Sequence, residues 1–193
     1  MDIDNDSLKN FYNNYTIDYK KIFEAIEYYK KKGFTYIELP WDVPDEYRRI
    51  TFAGEDFNQI AEDRYLLGSA EQAFVMMANL KKIKFGSYVA CTPCFRNDEI
   101  DNYHQKYFLK VELFDTNDTS EKRLIHIVKT AKEFLNKYIP VDIIQTDIYS
   151  YDIITIFDLE LGSYGIRDYN NIKWIYGTGI AEPRLSKSML SIN

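Results

Sequence analysis

The sequence predicts an α+β fold built around a mostly antiparallel sheet. Strand-like segments come in groups joined by short loops, and helical segments lie between these groups rather than after every strand. One long stretch beyond residue 119 has the apolar spacing of an amphipathic helix. Strict alternation of strand and helix would instead indicate a doubly wound parallel sheet, which this order disfavours.

The first half of the chain begins with a predicted helix and continues in strands. Apolar side chains recur at helical spacing within residues 19–32, and Gly33 follows a lysine run as a stop signal. The period changes to two in residues 34–39, and Pro40 ends that strand. The remaining elements predicted here are a strand at 64–68, a helix at 70–80, and strands at 88–92 and 106–114.

The second half contains the most regular predicted element. Thr119 or Ser120 followed by Glu121 is an N-terminal signal for a helix that runs to about Tyr138. Beyond Pro140 the chain is rich in strand-forming residues. The predicted elements are strands at 141–146, 153–161 and 173–176, and a short helix that begins at Glu182.

Length and composition narrow the classes of function. A chain of 193 residues with 46% hydrophobic residues is expected to form one domain, residues 1–193, and is too apolar to be disordered. The formal net charge is −6, and the lysine runs at 20–21, 30–32 and 81–82 are typical of solvated helix ends. A dedicated nucleic-acid binder needs clustered positive charge, so this class is disfavoured.

The sequence predicts a cytoplasmic protein without a membrane segment. Its first ten residues are acidic and lack the apolar core of a secretory signal, and no apolar run is long enough to cross a bilayer. The two cysteines, Cys91 and Cys94, form a CTPC pair. A redox pair, or half of a metal site completed by His104 or His126, is possible chemistry, but structural thiols are favoured.

A first segment with functional chemistry is CFRNDEIDNYHQKYFLKVELF. Alternation along its second strand places Phe108, Lys110 and Glu112 on one face, so an aromatic ring, a cation and an acid share a surface. This combination suits a nucleotide, although an ordinary half-buried strand has the same pattern. The preceding strand ends in three charged residues: Arg96, Asp98 and Glu99.

Two further segments carry oxygen ligands and an anion site. In FDLELGSYGIR, Glu160 and Ser163 lie three residues apart at a strand end, where their oxygens could hold Mg²⁺; an exposed turn is the alternative. In YGTGIAEPRLS, two glycines follow an apolar strand and Arg184 opens a helix, which would favour an anion. The segment is neither a Walker loop nor a dinucleotide fingerprint.

In this order the segments resemble the catalytic core of the class II aminoacyl-tRNA synthetases. CFRNDE with KYFLKVELF is similar to motif 2 of that family. The resemblance implies that Arg96 grips the α-phosphate of ATP and that Phe108 stacks under adenine. It further implies that Asp98 or Glu99 meets the adenine edge and that Glu112 serves the metal–triphosphate.

Other motifs extend the resemblance over about residues 23–189. GFTYIELP, which ends at Pro40, resembles the dimer-forming motif 1, so a homodimer is implied. GTGIAEPRLS resembles motif 3. This resemblance implies that Arg184 contacts adenine and the γ-phosphate. Glu160 and Ser163 match the ExxS pair that binds Mg²⁺ in the family.

The seryl-tRNA synthetases are the most similar branch. HQKYFLKVEL resembles their HQFxKVEL run, and Ser69-Ala70-Glu71 resembles their TxE loop, which implies that Glu71 holds the substrate α-ammonium. Asp98 stands where the family has glutamate, and Pro183 precedes the motif 3 arginine. We expect that 193 residues leave no room for a tRNA-binding arm or an anticodon-binding domain.

The resemblance implies an ATP-dependent ligase that makes an aminoacyl-adenylate from an amino acid and ATP. Three hypotheses remain open: a stand-alone enzyme that passes the amino acid to an acceptor other than tRNA, such as a protein or small molecule; an inactive paralog with a regulatory or interaction role; and an ordinary α+β domain with chance similarity. Retention of Arg96, Phe108, Glu160 and Arg184 favours catalysis. Stable tRNA binding is not expected from the charge of the chain.

Overall fold

A computed structural model describes residues 16–51, 58–97, 99 and 101–190 of the chain. Its helices are α1 (Tyr19–Lys31), α2 (Asp45–Arg48), α3 (Ala70–Asn79), α4 (Glu121–Leu135) and α5 (Arg184–Leu190). Its strands are β1 (Thr35–Tyr36), β2 (Asp42–Val43), β3 (Gln59–Ala61), β4 (Arg64–Leu66), β5 (Ser87–Phe95), β6 (Tyr107–Asp115), β7 (Val141–Asp147), β8 (Ser150–Thr155), β9 (Glu160–Tyr169) and β10 (Ile172–Glu182).

A seven-stranded sheet forms the centre of the described fold. Its strands run in the order β1-β5-β6-β10-β9-β8-β7, and every pairing is antiparallel except that of β1 with β5. A small antiparallel sheet, β2-β4-β3, lies beside it. The predicted α+β class with a mostly antiparallel sheet is confirmed.

The two faces of the large sheet are covered differently. Helices α1 and α4 bury their apolar sides in a core that includes Tyr29, Leu124 and Phe134. Helix α3 contributes to a second core, in which the ring of Phe114 stacks on Phe74 at a centroid distance of 4.7 Å. The polar side chains described below lie on this second face.

Two β-bulges alter the alternation of side chains along β9 and β10. In β9, Ile153 and Ile154 of β8 pair with Gly162 and Glu160, so that Leu161 is the extra residue. In β10, Gly179 is the extra residue in the pairing with β6. A bulge shifts the residues beyond it to the other face, so residues three apart, such as Glu160 and Ser163, can share one face.

Several predicted boundaries needed correction. The strand predicted at 153–161 is wrong, because residues 156–159 form a turn that joins β8 to β9. The strand predicted at 173–176 runs on to Glu182, so the motif 3 glycines lie inside β10 rather than after it. The last helix begins at Arg184 instead of Glu182. The long helix at residues 121–135 is three residues shorter than predicted.

The cysteines lie on β5 without forming a disulfide. Cys94 is buried, and Cys91 packs against the core beneath α1 and α4. Burial raises the pKa of the Cys91 thiol to about 12 and that of Cys94 to about 11. Such thiols are poor nucleophiles at neutral pH. None of the helices in the described ranges is both long and apolar enough to cross a membrane.

Candidate active site

A cavity of about 350 Å³ opens on the α3 side of the sheet. It is bounded by the start of α3, the strands β6, β9 and β10, and the start of α5. Seven of the nine residues predicted for the site line it together: Glu71, Arg96, Phe108, Glu112, Glu160, Ser163 and Arg184. Segments up to 113 residues apart in sequence therefore form one site.

The β6 wall has the alternation expected from the sequence. Phe108, Lys110 and Glu112 all line the cavity. The guanidinium of Arg96 lies 5.3 Å from the centroid of the Phe108 ring, and its Nε donates to the carbonyl oxygen of Gly68 at 2.9 Å. The hydrogen bond fixes a cation beside the aromatic platform, which is the arrangement that a nucleotide with its phosphates requires.

Glu112 is the most enclosed of the predicted acids. The Ser69 hydroxyl donates to its Oε1 at 2.6 Å, the Ala70 N–H donates to its Oε2 at 3.0 Å, and Lys110 Nζ lies 3.3 Å from Oε2. The side chain is 1% exposed. Three donors thus surround this carboxylate. In this arrangement its role is structural, and its oxygens are poorly accessible to a hydrated metal ion.

Glu71 lines the cavity from the first turn of α3. Trp174 Nε1 donates to its Oε1 at 2.7 Å, and Arg167 Nη1 donates to its Oε2 at 2.6 Å. Burial raises the pKa of the Glu71 carboxyl, and the guanidinium of Arg167 opposes that rise. The acid predicted for the substrate ammonium therefore already has a cationic partner.

Glu160 is the exposed carboxylate of the cavity. Its side chain is 49% exposed, and Arg184 Nη1 lies 3.9 Å from its Oε1. The bulge at Leu161 brings Ser163 to the same face of β9. Hard, accessible oxygens suit Mg²⁺, so the ion predicted from the resemblance fits Glu160 and Ser163 better than the enclosed Glu112.

The described lining is richer in cations than in acids. Its charged members are Arg48, Arg96, Lys110, Arg167 and Arg184 against Glu71, Glu112 and Glu160. The chain as a whole carries a formal charge of −6. An excess of cations inside a concave site on an acidic protein favours an anionic ligand.

Two predicted residues remain. Asp98 lies outside the described residues, and Glu99 is exposed and absent from the lining. Arg167 and Tyr176 line the cavity but were missed by the sequence analysis. Arg167 is four residues beyond Ser163 on the same strand. Because every second residue of a strand faces the same side, a correct prediction of the bounds of β9 would have placed Arg167 on the face of Ser163.

Solved structures resemble this fold. Seryl-tRNA synthetase from Pyrococcus horikoshii complexed with ATP superposes with a TM-score of 0.68 at 20% identity, covering 86% of this chain and 48% of that one. Pyrrolysyl-tRNA synthetase from Desulfitobacterium hafniense gives a TM-score of 0.69 at 14% identity, covering 89% and 69% of the two chains. The chain has the fold of a class II aminoacyl-tRNA synthetase catalytic core.

The class II core recurs in a further neighbour, a cytoplasmic serine-tRNA ligase from Naegleria fowleri in complex with AMP. Its TM-score is 0.64 at 16% identity, with 85% of this chain and 51% of that chain covered. The present chain thus spans about half the length of the seryl enzymes. No protein-family model matches the sequence, and no curated protein sequence is similar to it.

The two carboxylates Glu112 and Glu160 should respond differently to neutralisation. Glu112→Gln leaves the Lys110 cation nearly buried without its counter-charge, so we expect the free energy of unfolding to fall by roughly 3 kcal/mol. Glu160→Gln, at a half-exposed position, should change it by less than about 0.5 kcal/mol. Urea denaturation of the two variants and the wild type measures both values. Equal losses would contradict the structural role assigned to Glu112.

Proposed function

We propose that the protein activates an amino acid with ATP, forming an aminoacyl-adenylate and pyrophosphate. The observation that carries the proposal is the convergence of Arg96, Phe108, Glu160 and Arg184 in one cation-rich cavity of a class II core. The similarity to an ATP-complexed seryl-tRNA synthetase supports ATP as the nucleotide. An amino acid and ATP are then the small-molecule partners.

In the proposed reaction the amino-acid carboxylate attacks the α-phosphorus of ATP. Arg96 stabilises charge on the α-phosphate, Phe108 supports adenine, and Arg184 binds adenine and the γ-phosphate. Mg²⁺ bound to Glu160 and Ser163 would neutralise charge on the triphosphate. A carboxylate needs no general base to act as a nucleophile, so positioning and charge stabilisation do the catalytic work.

Glu71 is proposed to anchor the amino acid through its α-ammonium. Its carboxylate lines the cavity, and its position at the start of α3 is held by the hydrogen bond from Trp174. We further propose that the activated amino acid passes to an acceptor other than tRNA, in the cytoplasm. The basis is the acidic charge of the chain, which does not favour a polyanionic partner.

An inactive paralog with a regulatory or interaction role is the second candidate. One contact favours it. Arg167 already donates a hydrogen bond to the Glu71 carboxylate, which is the group that the substrate ammonium would have to bind. A regulatory domain that kept ATP binding and lost amino-acid binding would have this arrangement. Pyrophosphate exchange with each of the twenty amino acids separates the two candidates, because only an active enzyme transfers the label from pyrophosphate into ATP.

ATP with Mg²⁺ should raise the melting temperature of the wild type, because a ligand that binds only the folded state stabilises it. Arg96→Ala and Arg184→Ala should abolish this shift, whereas Arg49→Ala, at an exposed arginine outside the cavity, should retain it. Differential scanning fluorimetry at millimolar nucleotide gives all four values. The proposed function fails if the wild type does not respond to ATP.

We also propose a two-fold homodimer that uses the segment at residues 33–40. Its strand β1 is only two residues long and lies at the edge of the large sheet, and Trp41 beside it is 57% exposed. Unpaired edges and exposed aromatic side chains favour association. Light scattering at micromolar protein should give twice the chain mass of 22.9 kDa, and Trp41→Ser should shift the mass toward a monomer. A monomer mass for the wild type contradicts the proposal.

Total tRNA should not bind stably at physiological salt. Affinity for a polyanion depends on clustered Lys and Arg, and this chain has a net charge of −6 with short lysine runs. A filter-binding titration should show no saturation below micromolar protein. Saturable submicromolar binding, reduced by charge removal at Lys30 to Lys32 or at Lys81 and Lys82, would argue instead for a tRNA acceptor.

A further inference from the structure

The Glu71 carboxylate has two hydrogen-bond donors of very different character. Trp174 is fully buried in the core beside α3, so the bond from its Nε1 is a fixed part of the fold. Arg167 lies on β9 with a side chain that is 39% exposed, and it lines the cavity. Of the two donors, Arg167 is the one that can leave Glu71 without unpacking the core.

Tyr176 provides a second support for the Arg167 guanidinium. The guanidinium carbon lies 4.1 Å from the centroid of the Tyr176 ring. Gly165, paired with Tyr176 across β9 and β10, makes this possible, since a Cβ there would come within 2.6 Å of the tyrosine hydroxyl. A guanidinium stacked on an aromatic ring stays bound to the wall when its hydrogen bond is broken. Arg167 can therefore move away from Glu71 while its guanidinium stays on the Tyr176 ring.

The surroundings of Glu71 require a cation to be present. Among the residues that the structure describes, the other charged groups that act on it are Glu112 and Lys110 of β6, and these two are paired with each other. Arg167 is thus the dedicated counter-charge of a carboxylate that is 3% exposed. An unpaired buried carboxylate is costly, so the guanidinium is expected to leave only when another cation replaces it.

We infer that Arg167 fills the cation subsite of this cavity, the space beside Glu71 Oε2, and that the substrate enters by exchanging its ammonium for the guanidinium. The inference rests on the proposed function and adds a specificity-determining residue to it. Exchange of one cation for another preserves the charge balance at Glu71. A carboxylic acid without a free ammonium, such as a hydroxy acid or an N-acylated amino acid, cannot make this exchange.

Occupation of the subsite by Arg167 also lowers the affinity of the protein for an ammonium ligand. The apparent dissociation constant of a ligand is its intrinsic value divided by the fraction of protein whose subsite is open, so it rises as that fraction falls. Removal of the guanidinium should therefore tighten binding of an ammonium compound, whereas removal of a residue that contacts the substrate would weaken it. The opposite signs make the inference testable.

The first test uses ethylammonium as a small cation and needs no catalytic activity. Arg167→Met keeps an unbranched stem over Tyr176 and removes the charge, so ethylammonium should raise the melting temperature of this variant more than NaCl at equal ionic strength. The wild type should respond less, because the guanidinium must first be displaced, and the double variant Glu71→Gln/Arg167→Met should not respond specifically. A wild-type response as large as that of Arg167→Met, or no response in Arg167→Met, overturns the inference. Should Arg167→Met fail to fold, Arg167→Gln replaces it in the same comparison.

The second test uses the amino acid identified by pyrophosphate exchange. Arg167→Met should lower its KM several-fold, and Arg167→Lys should lie nearer the wild type. A raised KM that lysine restores would show that Arg167 contacts the substrate directly, and an unchanged KM would show that the ion pair is only structural; either result overturns the inference. Absence of pyrophosphate exchange in the wild type contradicts the proposed function instead. The ethylammonium test does not depend on that activity, so its result still decides the inference about Arg167.

Discussion

The carboxylate of Glu112 joins the start of helix α3 to the central strands, and the geometry of the cavity depends on this connection. Ser69, the N-cap of α3, both caps the helix and donates to Glu112, and the next backbone N–H donates to the same carboxylate. A negative charge at a helix N-terminus is favourable, and Lys110 supplies the opposing charge from the neighbouring position on β6. The first turn of α3 is thereby fixed over the sheet, and Glu71 is positioned within the cavity.

The sheet imposes a second constraint, because regular alternation cannot bring all the polar side chains to one face. The extra residues Leu161 and Gly179 shift the parity of β9 and β10. At Gly179 an added Cβ would lie 2.8 Å from the Tyr29 ring and 3.0 Å from the Val111 carbonyl oxygen, so the bulge needs glycine. The bulges therefore serve the site: one aligns Glu160 with Ser163, and the other re-aims the end of β10 that leads to Arg184.

The acidic residues of the cavity differ in whether their carboxylates are already paired within the protein or are accessible to a ligand. Glu71 and Glu112 are enclosed and each is paired with a cation, whereas Glu160 is half exposed. The proposed adenylate formation requires cations at the phosphates and no proton transfer by the protein, and the described lining supplies arginine and lysine side chains. The position of Arg167 adds that the enclosed Glu71 carboxylate is paired with a cation of the protein itself.

The sequence by itself determined the fold class, the long helices and the shared face of Phe108, Lys110 and Glu112, because periodicity and caps are local signals. Ordered motifs also pointed to the class II core and to seven residues that converge in the cavity. Only the tertiary structure decided the hairpin at residues 156–159, the two bulges and the pairing of Arg167 with Glu71. A bulge depends on which partner strand lies alongside, and an ion pair between residues 96 positions apart depends on how α3 packs over the sheet. Such relations between distant segments leave no periodic signal in the chain.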